Sequence, residues 1–262
     1  MTAQWPARWL GRRGGRPVIG LCGPDGAGKT TVTGKIRDRL ADGGVSVHLG
    51  YCYGCVLCRR LDRPSGVAGA AATRGRRPGD HAPSAAPSAS GRPAWRDRVA
   101  RRLRAIHGHI DAGELMIRLL ALRWAAARTR TAGVITDRGP LDGLAKHDPP
   151  RGSALARRYL RLASRYDLIV LLDAPADVLG QRDDEHTLQE LELWRLLYRR
   201  CAQEAAAAGT EVFVADAQRP PDVTAADVVE LITTTQAHDA EPAPLRRPVR
   251  FAAAPRYSGQ DG

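Results

Sequence analysis

Five short apolar runs alternating with helical stretches leave this chain few folds to choose from. Pro17–Cys22 (PVIGLC), Val45–Leu49, Gly133–Asp137 (GVITD), Asp167–Asp173 (DLIVLLD) and Glu211–Ala215 are all of strand length. The first and fourth are apolar without alternation, as in strands buried on both faces. Between them the sequence predicts helices over Lys29–Leu40, Trp95–Arg130, Ala154–Ser164, Leu188–Ala208 and Thr224–Thr235. Val32, Ile36 and Leu40 form one stripe on the first, which Gly43-Gly44 closes. The long second helix is expected to break near Gly108, with Leu115, Leu119 and Leu122 on one face and Met116 and Leu120 beside them. Strict strand–helix alternation implies an α/β fold: a five-stranded parallel sheet with helices on both faces, binding its ligands at the carboxyl ends of the strands.

Composition bounds the domain. The 262 residues include 27 glycines and 18 prolines, and this excess is uneven. Met1–Gly15, Asp62–Ala94 and Ala237–Gly262 hold too few large apolar side chains to pack. They read as a flexible arm (1–15), a disordered insertion (62–94) and a disordered tail (237–262) around a single domain over 16–236. No run approaches the ~20 apolar residues of a membrane span, so no membrane association is expected. Arg12-Arg13 could open an export signal, but the apolar run behind it is only Val18–Cys22. Five cysteines, an odd number, make no disulfide framework, and a cytoplasmic protein is expected. Net charge is +12, and apart from Lys29, Lys35 and Lys146 the basic residues are arginine. No basic stripe interleaved with aromatics appears, so no specific nucleic-acid binding is expected.

Gly23-Pro-Asp-Gly-Ala-Gly-Lys29-Thr30 fits G-x-x-x-x-G-K-[ST] between a buried strand and an amphipathic helix. Gly23, Gly26 and Gly28 let the chain curl until successive N–H groups face one anion, and the helix N-terminus adds partial positive charge. Lys29 then reaches the β/γ-phosphates of a nucleoside triphosphate and the Thr30 hydroxyl binds Mg²⁺, which makes this a P-loop NTPase fold. Gly23, Asp25, Gly26, Ala27, Gly28, Lys29, Thr30 and Thr31 form the expected ATP cradle. Guanine-recognition and S-G-G-Q signatures are absent. Asp137-Arg138 ends the third strand instead. An aspartate there can hold Mg²⁺ or accept a proton, and the arginine can clamp an anionic acceptor.

On these residues the sequence resembles the thymidylate kinase family of P-loop nucleoside monophosphate kinases. The matching pieces are Gly23–Thr31, Val134–Arg138, Asp167–Val178 with nearby Arg182, the helix Leu188–Tyr198, and V-F-V-A-D-A with its helix. The resemblance implies that Asp25 faces the acceptor. It gives Asp137 and Arg138 to Mg²⁺ and the acceptor phosphate, and Arg182 to a lid that closes on ATP and excludes water. The chain departs from the family after the second strand, where H-L-G-Y-C-Y-G-C-V-L-C (His48–Cys58) replaces an R-E-P-G-G-type stretch. The acceptor thus stays open: a nucleotide, a sugar or another hydroxyl-bearing metabolite.

Tyr51 and Tyr53 either stack on a ring or pack a loop. Cys52, Cys55 and Cys58 form C-x-x-C-x-x-C, and a metal there needs a fourth ligand from Cys201, Cys22 or His48. His107 and His109 are poorly spaced to share a ligand, Asp183-Asp184-Glu185-His186 reads as solvated, and Arg123 and Arg128 lie on the helix leading to Asp137. The expectation is an ATP- and Mg²⁺-dependent phosphotransferase with Lys29, Asp137, Arg138 and Arg182 as catalytic residues. Thr30 and Asp137 are its metal positions, its partner is a small-molecule phosphoryl acceptor, and a homodimer is left open. The alternative is a nucleotide-binding switch or assembly protein without acceptor chemistry.

Overall fold

The computed structural model describes residues 16–52 and 94–233. The expected arm and tail lie outside these residues, as does the insertion except for Ala94. In chain order the elements are β1 (Val18–Cys22), α1 (Lys29–Asp42), β2 (Val47–Tyr51), α2 (Ala94–Arg128), β3 (Gly133–Asp137) and α3 (Pro140–His147). They continue with α4 (Ala154–Ala163), β4 (Leu168–Asp173), α5 (Ala176–Gly180), α6 (Leu188–Ala207), β5 (Val212–Asp216) and α7 (Pro221–Thr233).

All five strands are parallel, in the order β2-β3-β1-β4-β5. Pleating sends alternate residues to opposite faces, and here each face meets its own apolar layer. Val18 and Cys22 of β1 join α2, α3, α4 and α6, whereas Ile19 and Leu21 join α1 and α7. All five residues of β1 are buried, as a continuous apolar run requires. The α/β class, the parallel sheet and the helices on both faces all follow the expectation.

Several details do not. Helix α2 does not break at Gly108. A Cβ there would lie 2.5 Å from the Leu155 side chain, so this glycine admits α4 rather than ending α2. Leu120 sits on the outer face, 53% exposed. Strand β2 begins at Val47 rather than Val45, because the Val45 N–H still donates to the Leu40 carbonyl (2.7 Å). Helix α7 begins three residues before Thr224, at Pro221, and helices α3 and α5 were not anticipated. Pro140 is the first residue of α3, and the Asp142 carboxylate accepts the Gly139 N–H (2.7 Å). Among the described residues no helix is long and apolar enough to cross a membrane.

Candidate functional site

Strands β1 and β3 are neighbours whose chains leave in opposite directions, β1 toward β2 and β3 over β1 toward β4. In open α/β sheets a ligand crevice lies at such a reversal. After Cys22 the chain turns through the glycine-rich loop into α1. Gly26 has φ 78°, and a Cβ there would lie 2.6 Å from the Leu179 carbonyl oxygen, so only glycine lets the loop rest on α5. Gly28, the N-cap of α1 at φ 77°, is different: no atom lies within 4 Å of where its Cβ would stand. The left-handed backbone there borders open space. The first N–H groups of α1 lack intrahelical acceptors and carry the positive end of the helix dipole.

Two links tie this loop to the end of β3. On one side the Lys29 ammonium, buried, donates to the carbonyls of Gly23 (2.9 Å) and Pro24 (2.7 Å) and to Asp25 Oδ1 (3.3 Å). The same Asp25 oxygen accepts Arg138 Nη2 at 2.8 Å. On the other side the Thr30 hydroxyl donates to Asp137 Oδ2 at 2.6 Å. Asp137 Oδ1 is buried with no hydrogen-bond partner. The peptide joining Asp137 to Arg138 is held as well: Cys52 N–H donates to the Asp137 carbonyl (3.0 Å) and Arg138 N–H to the Leu21 carbonyl (2.8 Å). Of the expected catalytic residues, Lys29, Asp137 and Arg138 therefore come together around Asp25 and Thr30.

The charges are coupled. Partial burial raises the carboxyl of Asp25, but Lys29 and Arg138 outweigh it and hold Asp25 below its ordinary value. Burial works against the Arg138 cation, and Asp142 and Asp25 more than offset it, so the guanidinium stays charged. Asp142 is a functional residue that the sequence reading missed. It is fully buried, accepts from Gly139 N–H and from Tyr198 Oη (2.8 Å), and lies 3.8 Å from Arg138 Nη1. Burial raises its carboxyl, opposed chiefly by Lys29 and Arg138. Arg138 has φ 69°, a left-handed backbone that is costly for a side-chain-bearing residue. Asp142 braces the turn that imposes it. A proline at the first helical position with an acid two residues later was the available signal.

Arg182 is outside this hydrogen-bonded set: its Nη1 donates to the Ala217 carbonyl (2.8 Å) beyond β5. Two further arginines, Arg195 and Arg199, bind Asp173 at the end of β4 (3.0 and 2.5 Å). The Asp183 cluster bonds within itself, to Glu185 N–H and His186 Nδ1. Arg123 donates to the Arg165 carbonyl (3.1 Å), Arg128 lies over the Trp124 ring, and His107 and His109 are half-buried. Tyr51 is exposed at the end of β2, and Tyr53, Cys55 and Cys58 lie outside the described residues.

Among the described residues no three His, Cys, Asp or Glu side chains gather to hold a metal. Burial pushes the Cys22 thiol up, that of Cys52 to about 11 and that of Cys201 to about 12, so these thiols stay protonated. Thr30 and Asp137 are a different donor set, two hard oxygens with one carboxylate oxygen unpartnered. They fit Mg²⁺, which keeps several waters and takes other ligands from phosphate. Comparison with protein-family models and with curated proteins gave no match.

Proposed function

We propose that this chain is an ATP- and Mg²⁺-dependent phosphotransferase of the P-loop NTPase fold, resembling thymidylate kinases and acting in the cytoplasm. It moves the γ-phosphoryl group to a nucleoside monophosphate or another small hydroxyl- or phosphate-bearing metabolite. The observation that carries the reading is the double link between loop and strand, Lys29–Asp25–Arg138 beside Thr30–Asp137, with one buried carboxylate oxygen left over.

Thr30 and Asp137 would hold Mg²⁺, which when bound neutralises charge on the β- and γ-phosphate oxygens. Lys29 supplies the cation of the loop. Its carbonyl partners in Gly23 and Pro24 are neutral, so a phosphate oxygen competes well for the ammonium. Arg138, fixed by Asp25 and braced by Asp142, stands where an anionic acceptor would be clamped. Asp25 stays ionised and so accepts a hydrogen bond from an acceptor hydroxyl, orienting it for in-line attack. Arg182 and the segment after α5 supply the lid of this reading, swinging from Ala217 toward the triphosphate.

The test is transfer from labelled ATP to a panel of nucleoside monophosphates, nucleosides and sugars by the wild type, Lys29→Ala and Asp137→Ala. Acceptor-dependent product is expected from the wild type and is lost in both variants. Tight ATP binding without any acceptor-dependent turnover would favour the nucleotide-switch alternative, and full transfer by Lys29→Ala would remove the site assignment.

A further inference from the structure

Helix α4 divides its surface in two. Leu155, Ala156, Tyr159, Leu162 and Ala163 are buried in the core of the domain. Apart from Ala154, every exposed residue from the start of α4 to Arg165 is arginine: Arg157, Arg158, Arg161 and Arg165. The Arg165 N–H donates to the Leu162 carbonyl (2.9 Å), so the helical turn carries that residue too. At 3.6 residues per turn the four fall within about 100° of arc, and their row rises about 12 Å along the axis. Like charges three and four residues apart on a helix repel.

Arginines on either side of α4 are matched with acids. Arg151 pairs with Glu204 (2.8 Å) and Arg200 with Asp148. Among the described residues none of the four arginines of the row has an ion-pair partner. No Asp or Glu lies between Asp148 and Asp167 in sequence, and the buried Asp167 carboxylate accepts the Val18 N–H (2.8 Å). The Arg157 guanidinium donates to a neutral group, the Gly152 carbonyl. Residues 1–15, 53–93 and 234–262 hold 14 arginines against five Asp or Glu, so they too offer the row little complementary charge. The complement has to come from outside.

The make-up of the row narrows what that partner is. Guanidinium forks match phosphate oxygens. Duplex DNA presents one phosphate per ~3.4 Å of axis on each strand, so about 12 Å spans three or four phosphates, roughly one for each arginine. This face exposes no aromatic ring on which unpaired bases would stack, and no apolar side chain larger than Ala154 to enter a lipid surface. It also exposes no amide or carboxylate to read base edges. We infer that the outer face of α4 binds the phosphate backbone of a nucleic-acid duplex without reading its sequence. Arg165, the foot of the row, stands three residues before β4, at the amino-terminal edge of the sheet. The contact is therefore remote from the crevice at the carboxyl ends and goes beyond the phosphotransferase reading.

The test is fluorescence anisotropy of the full chain with labelled DNA duplexes of about 20 base pairs and two unrelated sequences, from about 50 to 200 mM salt. The expected result is equal affinity for both sequences, weakening as salt rises. Arg161→Gln/Arg165→Gln should lower the affinity at least about tenfold and reduce the slope of log K against log salt by about two. The melting temperature of that variant should not fall, since both side chains are exposed and their repulsion is relieved. Arg37→Gln/Arg39→Gln removes the same charge from exposed positions of α1 and should leave affinity and slope nearly as in the wild type. A wild type that does not bind the duplexes overturns the inference, as does a strong preference for one sequence. Equal losses in the two variants also overturn it, because net charge alone would then account for binding. So does an Arg161→Gln/Arg165→Gln chain that keeps the duplex but no longer binds anionic vesicles. Neither ATP nor an acceptor enters the experiment, so its failure is separate from any failure of the phosphotransferase reading.

Discussion

At the end of β4, Asp173 takes Arg195 on one carboxylate oxygen and Arg199 on the other, and its own carbonyl accepts the Ala217 N–H. At the end of β3, Asp137 has Thr30 on one oxygen and nothing on the other. The residue types are alike and the sheet edge is the same, but one array is closed and the other open. The backbone follows the same division: the residues at positive φ beside the open array include Gly26, Gly28 and Arg138, and none lies between Asp173 and Ala208. Closed arrays hold a fold together. An open one, buried and held in strained backbone, is where a ligand finds vacant valence, and it is there that the phosphoryl chemistry is proposed.

The comparison can be broken in several ways. The largest effect is expected from Lys29→Ala, which should lower acceptor-dependent transfer from ATP about 10³-fold in a turnover assay, as loss of a fixed charge donor does. Asp142→Ala should come next, at about 3 kcal/mol by urea denaturation, because it strands the Gly139 N–H and the Tyr198 hydroxyl inside the protein. Asp142→Asn should recover much of that. Asp137→Asn should raise the Mg²⁺ concentration for half-maximal turnover about 10–100-fold while the protein unfolds as before. On the closed side, Asp173→Asn should lower stability by about 1 kcal/mol and leave turnover alone. Loss of activity there would erase the contrast.

The smallest effect concerns pH. Asp25 is held below its ordinary 3.8, so its stabilisation is present above that value and fades as pH falls through the folded-state value. Asp25→Asn should flatten the acid limb of the stability–pH curve by about 0.5 kcal/mol, since half of this side chain faces solvent. Asp142 acts with the opposite sign: its raised carboxyl favours the fold at low pH, and that benefit is lost as pH rises through its folded value.

Much of this was legible in the sequence because it is written in contiguous residues. Buried runs such as Asp167–Asp173 announce central strands, and Gly23–Thr30 announces the turn that brings Lys29 and Thr30 to the end of β3. What escaped depends on residues distant in the chain. Gly108 reads as a helix breaker until Leu155 is seen against it. Asp142 owes its role to Tyr198, 56 positions later, whose hydroxyl donates to it. Arg195 and Arg199 bind Asp173, and nothing near them in sequence points to it. The expected lid arginine, Arg182, follows from the family resemblance alone, and its hydrogen bond to Ala217 has no local signature.

The amide and carbonyl around the Asp137–Arg138 bond are fastened to two different strands, one to Leu21 in β1 and the other to Cys52 just past β2. A single planar unit thereby rivets three strand ends into one lip. The two jaws of the crevice cannot wander independently, so reactants brought to its opposite sides would meet at a spacing set by the sheet and not by the swing of a loop.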